Sequence, residues 1–247
     1  MDFAYSLNNN NNNNNKSKIY TKTGDLGVTS LYNGDRLPKD AYYFECLGDL
    51  DELNCHLGLM KAFYKEIRNP KELYNPPGAG ALFYKHEKCL DTGKYYEWFI
   101  LETYITTIQC NIMDISTFVA TPKYTDIEKW LKVVSFSADN ITNLEKLIDR
   151  IDSLLPKITN FVVPSGNRLI SQTHVCRALT RRCERKLIKL IFNENTELNK
   201  DIQDLELNIK IYLNRLSDFL FIISRFISFT LNEQEDLYSK RKGISNN

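Results

Sequence analysis

Apolar residues recur at spacings of three and four along five stretches of the chain, separated by segments that are polar or rich in Gly and Pro. That period puts the apolar side chains on one stripe of a helix. The first predicted helix runs from Tyr42 to about Phe63, with Phe44, Leu47, Leu50 or Asp51, Asn54 and Leu57 on its inner face. A second covers about Trp98 to Val119 and stops near Pro122. A third covers about Asp139 to Leu155, with Asp139 or Asn140 as N-cap and Pro156 at its end. The fourth, about Leu169 to Phe192, follows the loop NFVVPSGNR, and the polar residues 193–206 lead to a fifth at about Leu207 to Asn232. No β-rich block accompanies them, so the expected fold is all-α, a five-helix bundle.

The segments outside this pattern divide the chain. Residues 1–17 form an Asn-rich leader with an unbroken Asn run at 8–15, which cannot pack a core and is expected to be disordered. Ordered chain is expected over 18–232, interrupted by a surface insertion at 65–97 that carries Pro-Pro-Gly and Gly-Ala-Gly. The charged tail, 233–247, is expected to fray. Across all 247 residues, 32 Lys+Arg against 31 Asp+Glu leave a net charge of +1, which argues against a protein built around a nucleic-acid backbone. The most apolar stretch, Leu216–Phe229, contains Asp218 and Arg225, so no membrane span is expected. The six cysteines form no C-x-x-C pair and read as reduced residues in or near the core. The opening MDFAYSL has no Arg and no apolar run, so it resembles no targeting segment.

Three segments hold polar residues that a plain bundle does not need. In TKTGDLGVTS, residues 21–30, glycines allow close backbone approach, and N–H groups, Thr hydroxyls and Lys22 can cradle phosphate. An ordinary Gly-rich turn would look the same. On the fourth helix, Arg177, Arg181 and Arg185 share a stripe flanked by Arg182 and Glu184, and Cys176, Leu179, Cys183 and Leu187 make the opposite, core-facing stripe. Four arginines with little nearby acid suit a phosphate or carboxylate, although a solvated basic face is the usual alternative. His174 lies one turn before Arg177, without an assignable role. On the fifth helix, Asn214, Asp218 and Arg225 fall close to one line among apolar residues, fitting either a ligand site or a structural network. Asp51, in GDLDELN, is expected among core positions with a cationic partner.

In this order, KIYTKTGDLGVTSL, GDLDELN, FVVPSG, HVCRALTRRCER and YLNRLSDFLF resemble the signatures of the PduO-type ATP:cob(I)alamin adenosyltransferases, of the mitochondrial vitamin B12 kind. The resemblance covers about residues 18–64, 98–192 and 208–230. It implies a homotrimer with sites between subunits, and transfer of the 5′-deoxyadenosyl group of ATP to reduced cobalt, giving adenosylcobalamin and triphosphate. Thr21, Lys22, Thr23, Gly24, Thr29, Ser30 and Lys39 would then wrap the phosphates. The run from Arg181 through Arg182, Cys183 and Glu184 to Arg185 would form the nucleotide-binding helix, with Asn214 near phosphate and, indirectly, Mg²⁺. Asp51 and Arg177 would form an intersubunit salt bridge, and Phe161 would pack below the corrin. The cobalt supplies the nucleophile, which fits the absence of a Ser/His/Asp or Cys/His set. The resemblance further implies a cob(II)alamin reductase and an adenosylcobalamin-dependent mutase as partners, and mitochondrial location. PSGN stands where PSGG is more common, so the loop is expected to bend differently at Asn167. The rival readings are a carrier of adenosylcobalamin without turnover and a helical scaffold with an incidental basic stripe.

Overall fold

The computed structural model describes residues 19–67, 101–122, 127–193 and 200–239. Among the described residues, a short antiparallel hairpin, β1 (Val28–Ser30) and β2 (Arg36–Pro38), precedes six helices. These are α1 (Tyr42–Ile67), α2 (Leu101–Ala120), α3 (Ile127–Val133), α4 (Asp139–Asp152), α5 (Arg168–Asn193) and α6 (Lys200–Thr230). Five are long, and α3 is a seven-residue turn of helix. The long helices pack α2 on α1, α1 on α5, α5 on α6 and α6 on α4. The expected all-α bundle is the fold observed, and α5 is its central member.

The α1 stripe is Cys46, Leu50, Leu53, Leu57, Met60 and Tyr64, all buried at alternating steps of four and three. Phe44, Leu47 and Asn54, expected inside, are only half-buried because the true stripe runs one or two residues out of that phase. On α5 the expected core stripe Cys176, Leu179, Cys183 and Leu187 is buried. Burying an aliphatic side chain of this size stabilises by about 1.5–3 kcal/mol, so these seams dominate the fold. Helix α6 begins seven residues before the expected start, since Ile202 and Leu205 extend its buried face into the segment expected to be a polar link. Helix α3 lies beyond the breaker Pro122, where Trp130 docks by donating its ring N–H to the Thr121 carbonyl, 2.8 Å away. The N-cap of α4 is Ala138, not Asp139 or Asn140; it makes no side-chain cap bond, and the Ser137 hydroxyl just before it accepts the Asp139 N–H at 3.1 Å.

The first part of the tail, residues 233–238, makes contacts with the bundle and the loop before α5. Helix α6 closes with Asn232 in the left-handed region (φ 54°), the Asn232 N–H reaching the Phe229 carbonyl and the Glu233 N–H reaching that of Ser228. This pair of bonds is the Schellman arrangement, and Asn tolerates the required φ. The chain is thereby turned back toward the N-terminus of α5, and Val162 pairs with Leu237 in an isolated antiparallel bridge. The leader, residues 68–97 of the expected insertion, the expected start of the second helix at Trp98, and residues 240–247 of the tail lie outside the described residues.

Candidate functional site

The hairpin segment is held by its own turns. Gly34 (φ 91°) and the Asn33–Asp35 hydrogen bonds close the β1–β2 turn. Arg36 donates to the Thr23 carbonyl at 2.7 Å, and the Lys39 N–H donates to the Gly27 carbonyl at 2.8 Å. Lys22 has φ 60°, and Gly27 has φ 79°. The side chains of Thr21 and Thr23 share a hydrogen bond of 2.9 Å. A Cβ on Gly24 would lie 3.2 Å from Lys39 Cε and 3.3 Å from its Nζ, so the glycine lets that ammonium lie against the loop. Thr21, Lys22, Thr23, Gly24 and Lys39 thus gather two cations and two hydroxyls on one turn. Thr29 and Ser30 lie on β1 beside it, with Ser30 exposed. The segment meets the bundle through the Tyr32 N–H, which donates to the Ala120 carbonyl. Ile19 (102%) and Leu26 (94%) stand open to solvent, an unusual placement for side chains of that kind in one short segment.

Helix α5 carries two different basic faces. Arg181 and Arg185 are exposed and make no hydrogen bond or ion pair with any described residue. Arg177, one turn earlier, is half-buried, and its Nε has no acceptor among the described residues. Its pKa is lowered, first by burial and then by the like charge of Arg181. Beside it His174 is buried, its Nδ1 without a partner among the described residues and its pKa lowered by burial and by Arg177, so the imidazole is held neutral. Arg182 faces elsewhere. Its Nε lies 3.1 Å from Asp49 Oδ2 and its Nη2 pairs with Glu52, while Lys186 meets Asp49 at 3.2 Å and Glu45 at 3.5 Å. The expectation that little acid lies near these arginines is corrected for Arg182: α1 supplies three carboxylates to Arg182 and Lys186.

The acid that α1 turns toward α5 is Asp49, which is 9% exposed, and Asp51 points outward into solvent. Two residues along a helix is a rotation of about 200°, so both cannot face the same way. Cys183 is buried, its thiol donating to the Asp49 carbonyl at 3.2 Å and its pKa pushed up to about 12, chiefly by burial. Its side chain belongs to the α1–α5 seam, two residues and about 200° around the helix from both Arg181 and Arg185.

Glu184 and Asn214 are brought together across α5 and α6, the amide Nδ2 donating to Glu184 Oε1 at 3.2 Å. Arg215 donates to Asn214 Oδ1 at 2.8 Å and to Glu145 of α4 at 2.7 Å. Asp218 is exposed, 3.9 Å from Arg215. Arg225, by contrast, is 3% exposed and structural: its Nε pairs with Glu235 at 3.1 Å and its Nη2 with the Pro156 carbonyl at 2.9 Å. The expected line of Asn214, Asp218 and Arg225 therefore splits into a partly open polar network and a buried tie. Phe161, at 83% exposure, projects from the loop before α5.

The oxygen donors that a Mg²⁺ ion would find here are Glu184 and the Asn214 carbonyl oxygen, the latter already accepting from Arg215, and among the described residues no cluster of three metal-ligating side chains exists. That donor set fits an ion carried in by phosphate oxygens and water, the usual manner for Mg²⁺, and does not fit a dedicated protein cage.

The cobalamin adenosyltransferase family model matches residues 19–227. This chain belongs to that family. It is 34% identical over 223 residues to the human corrinoid adenosyltransferase MMAB, covering 90% of this chain and 74% of that protein. It is 31% identical over 211 residues to the corrinoid adenosyltransferase of Bacillus subtilis, covering 85% and 86%. Among solved structures it resembles a variant PduO-type ATP:corrinoid adenosyltransferase from Lactobacillus reuteri complexed with cobalamin and ATP. There the TM-score is 0.66 with 25% identity, over 90% of this chain and all of that one. The residues that sequence reasoning missed in this adenosyltransferase are Asp49, Glu52 and Lys186 around Arg182, and Glu233 and Glu235 at the tail. Asp49 stood in the quoted motif GDLDELN, in register with the buried stripe, and that phase was the available signal.

Proposed function

We infer that this adenosyltransferase moves the 5′-deoxyadenosyl group of ATP onto the cobalt of cob(I)alamin, giving adenosylcobalamin and triphosphate. The cobalt lone pair forms the Co–C bond to C5′ while the C5′–O bond breaks and triphosphate leaves with its electron pair. Cobalt goes from Co(I) to Co(III). No protein general base is required for this step, so the protein's tasks are positioning and charge neutralisation. The observation that carries the reading is the exposed face of Arg181 and Arg185, two guanidiniums without partners among the described residues, beside the Glu184–Asn214 oxygens. Arg forks suit the leaving triphosphate, and Lys22 and Lys39 supply further charge from the hairpin turn. When bound with the nucleotide, Mg²⁺ would neutralise phosphate charge near Glu184 and Asn214.

Assembly as a homotrimer, with the hairpin of one copy reaching α5 of the next, rests on the family resemblance. Two observations support it: the bare apolar side chains of Ile19 and Leu26, and the Nε of half-buried Arg177, which has no acceptor among the described residues. Asp51, exposed on α1, is the carboxylate proposed to reach Arg177 from another copy. Phe161 is proposed to cover the lower face of the corrin, where an exposed aromatic ring would exclude a lower ligand. Mitochondrial location, a cob(II)alamin reductase and a dependent mutase are proposed on resemblance alone. Among the described residues, no helix is long and apolar enough to cross a membrane.

The test is an anaerobic incubation of purified protein with MgATP and chemically reduced cob(I)alamin, followed by the visible spectrum. Conversion to light-sensitive adenosylcobalamin is expected, with kcat/KM for ATP reduced at least tenfold in Arg185→Ala, the loss of one charge-assisted contact of about 1.5–3 kcal/mol. Tight adenosylcobalamin binding without conversion would replace the enzyme by a carrier.

A further inference from the structure

The loop that carries Phe161 is not held by the bundle alone. Its backbone is paired with the C-terminal segment: the Val163 N–H donates to the Asp236 carbonyl and the Tyr238 N–H to the Phe161 carbonyl, both at 2.7 Å. The downstream end of the same loop is pinned by Glu233, whose carboxylate accepts from Asn167 Nδ2 at 2.7 Å and from the Asn167 N–H at 3.2 Å. Asn167 is also the N-cap of α5, its Oδ1 accepting the Ile170 N–H at 3.0 Å. A carboxylate at that position is further favoured by the helix dipole. The upstream end is pinned through Arg225, which links Glu235 to the Pro156 carbonyl. Residues 156–167 are therefore gripped at both ends and in the middle by residues 225–238.

A glycine at position 167 would offer no side-chain amide to Glu233 and no oxygen to the α5 N-terminus, so both contacts depend on the Asn167 side chain. With Glu233 fixed by the Schellman turn at Asn232, the amide can act as a latch between α6 and the loop.

We propose that the C-terminal segment Glu233–Tyr238 is a clasp that sets the position of the Phe161 loop, with Asn167 and Glu233 as positioning residues that act on the corrin only through Phe161. This rests on the lower-face role proposed above for Phe161. The clasp would then govern the step that needs an ordered aromatic ring under cobalt, reduction of bound cob(II)alamin, more than transfer from cob(I)alamin.

Asn167→Asp tests the latch cleanly, because Asp caps a helix as well as Asn yet sets a like charge against Glu233. The second variant is Asn167→Asp combined with Glu233→Gln, which restores a donor opposite the new carboxylate. The first readout is amide exchange of the peptide containing Val163, in the full chain without ligands. The second is the ratio of turnover from cob(II)alamin, with a one-electron reductant too weak for the free corrinoid, to turnover from cob(I)alamin. Asn167→Asp is expected to speed exchange and lower the ratio, each by roughly tenfold as for a lost hydrogen bond to a charged group, and the double variant to recover both. Unchanged exchange in Asn167→Asp overturns the clasp whatever Phe161 does. Faster exchange with an unchanged ratio, in a protein where Phe161→Ala lowers the ratio, overturns the positioning role and leaves the lower-face reading standing. An unchanged ratio in Phe161→Ala overturns both.

Discussion

Arg177 and Arg182 lie five residues apart on one helix and show what burial and partners do to the same side chain. Arg182 keeps 38% of its side chain exposed and has two carboxylates from α1 within ion-pair reach. Arg177 is half-buried, has no acceptor for its Nε among the described residues, and carries a lowered pKa. Asp49 is the hinge of the first arrangement, serving Arg182 and Lys186 together. Asp49→Ala should lower unfolding free energy by roughly 1–3 kcal/mol, toward the lower end because water can rehydrate the exposed part of Arg182. Urea denaturation checks it, with Asp51→Ala as the comparison under conditions where subunits are dissociated. An Asp49→Ala effect no larger than that of Asp51→Ala, about 0.5 kcal/mol for a surface change, would mean that the α1–α5 ion pairs add nothing.

At the scale of elements, the loop between α4 and α5 depends on one glycine. Gly166 has φ 114°, and a Cβ there would come within 2.9–3.0 Å of Ile170 Cγ2, Cβ and Cδ1. Both the backbone conformation and the β-branched neighbour oppose any side chain, since Ile170 is packed in the core with 1% exposure and cannot step aside. Gly166→Ala should therefore cost about 1–3 kcal/mol, read as a lower denaturation midpoint at unchanged m-value. A midpoint within error of the unmodified protein would show that the loop relaxes freely, which would also weaken the case for a fixed Phe161. Helices α1 and α5 make the complementary point. Their facing stripes place buried Cys46 and Cys183 in the seam, with both thiols pushed up to about 12 by burial, so neither is a ready nucleophile.

For the whole molecule, the separate placement of the phosphate-type turn and the arginine face is the main fact. Thr21–Gly24 and Lys39 sit in a hairpin that leans on the end of α2, while Arg181 and Arg185 sit on α5. The two half-sites are proposed to meet between copies. Sedimentation should then give a mass of three chains, with Asp51→Ala and Arg177→Ala each weakening assembly and the exchange Asp51→Arg with Arg177→Asp restoring it. A single-chain mass at micromolar concentration for the unmodified protein would sink this arrangement and require both half-sites to join within one chain.

The helical period alone determined the bundle, the order of its long helices and the buried side of α5, because Cys176, Leu179, Cys183 and Leu187 obey a local rule of spacing. The ordered motifs were equally legible, since glycines, hydroxyls and arginines at those spacings are written in the chain itself. Three things were decided only by tertiary structure. Which acid of GDLDELN faces inward depends on the phase of α1 against α5, and a shift of two residues exchanges Asp49 for Asp51. Whether an arginine is free or paired depends on carboxylates some 130 residues away in sequence, as Arg182 and Glu52 show. The tail looked polar enough to fray, yet Glu233 and Glu235 find Asn167 and Arg225 in space, and a buried guanidinium such as Arg225 would be costly without its carboxylate. Spacing along one helix is local chemistry, whereas the pairing of charges between elements is geometry that exists only after the helices have packed.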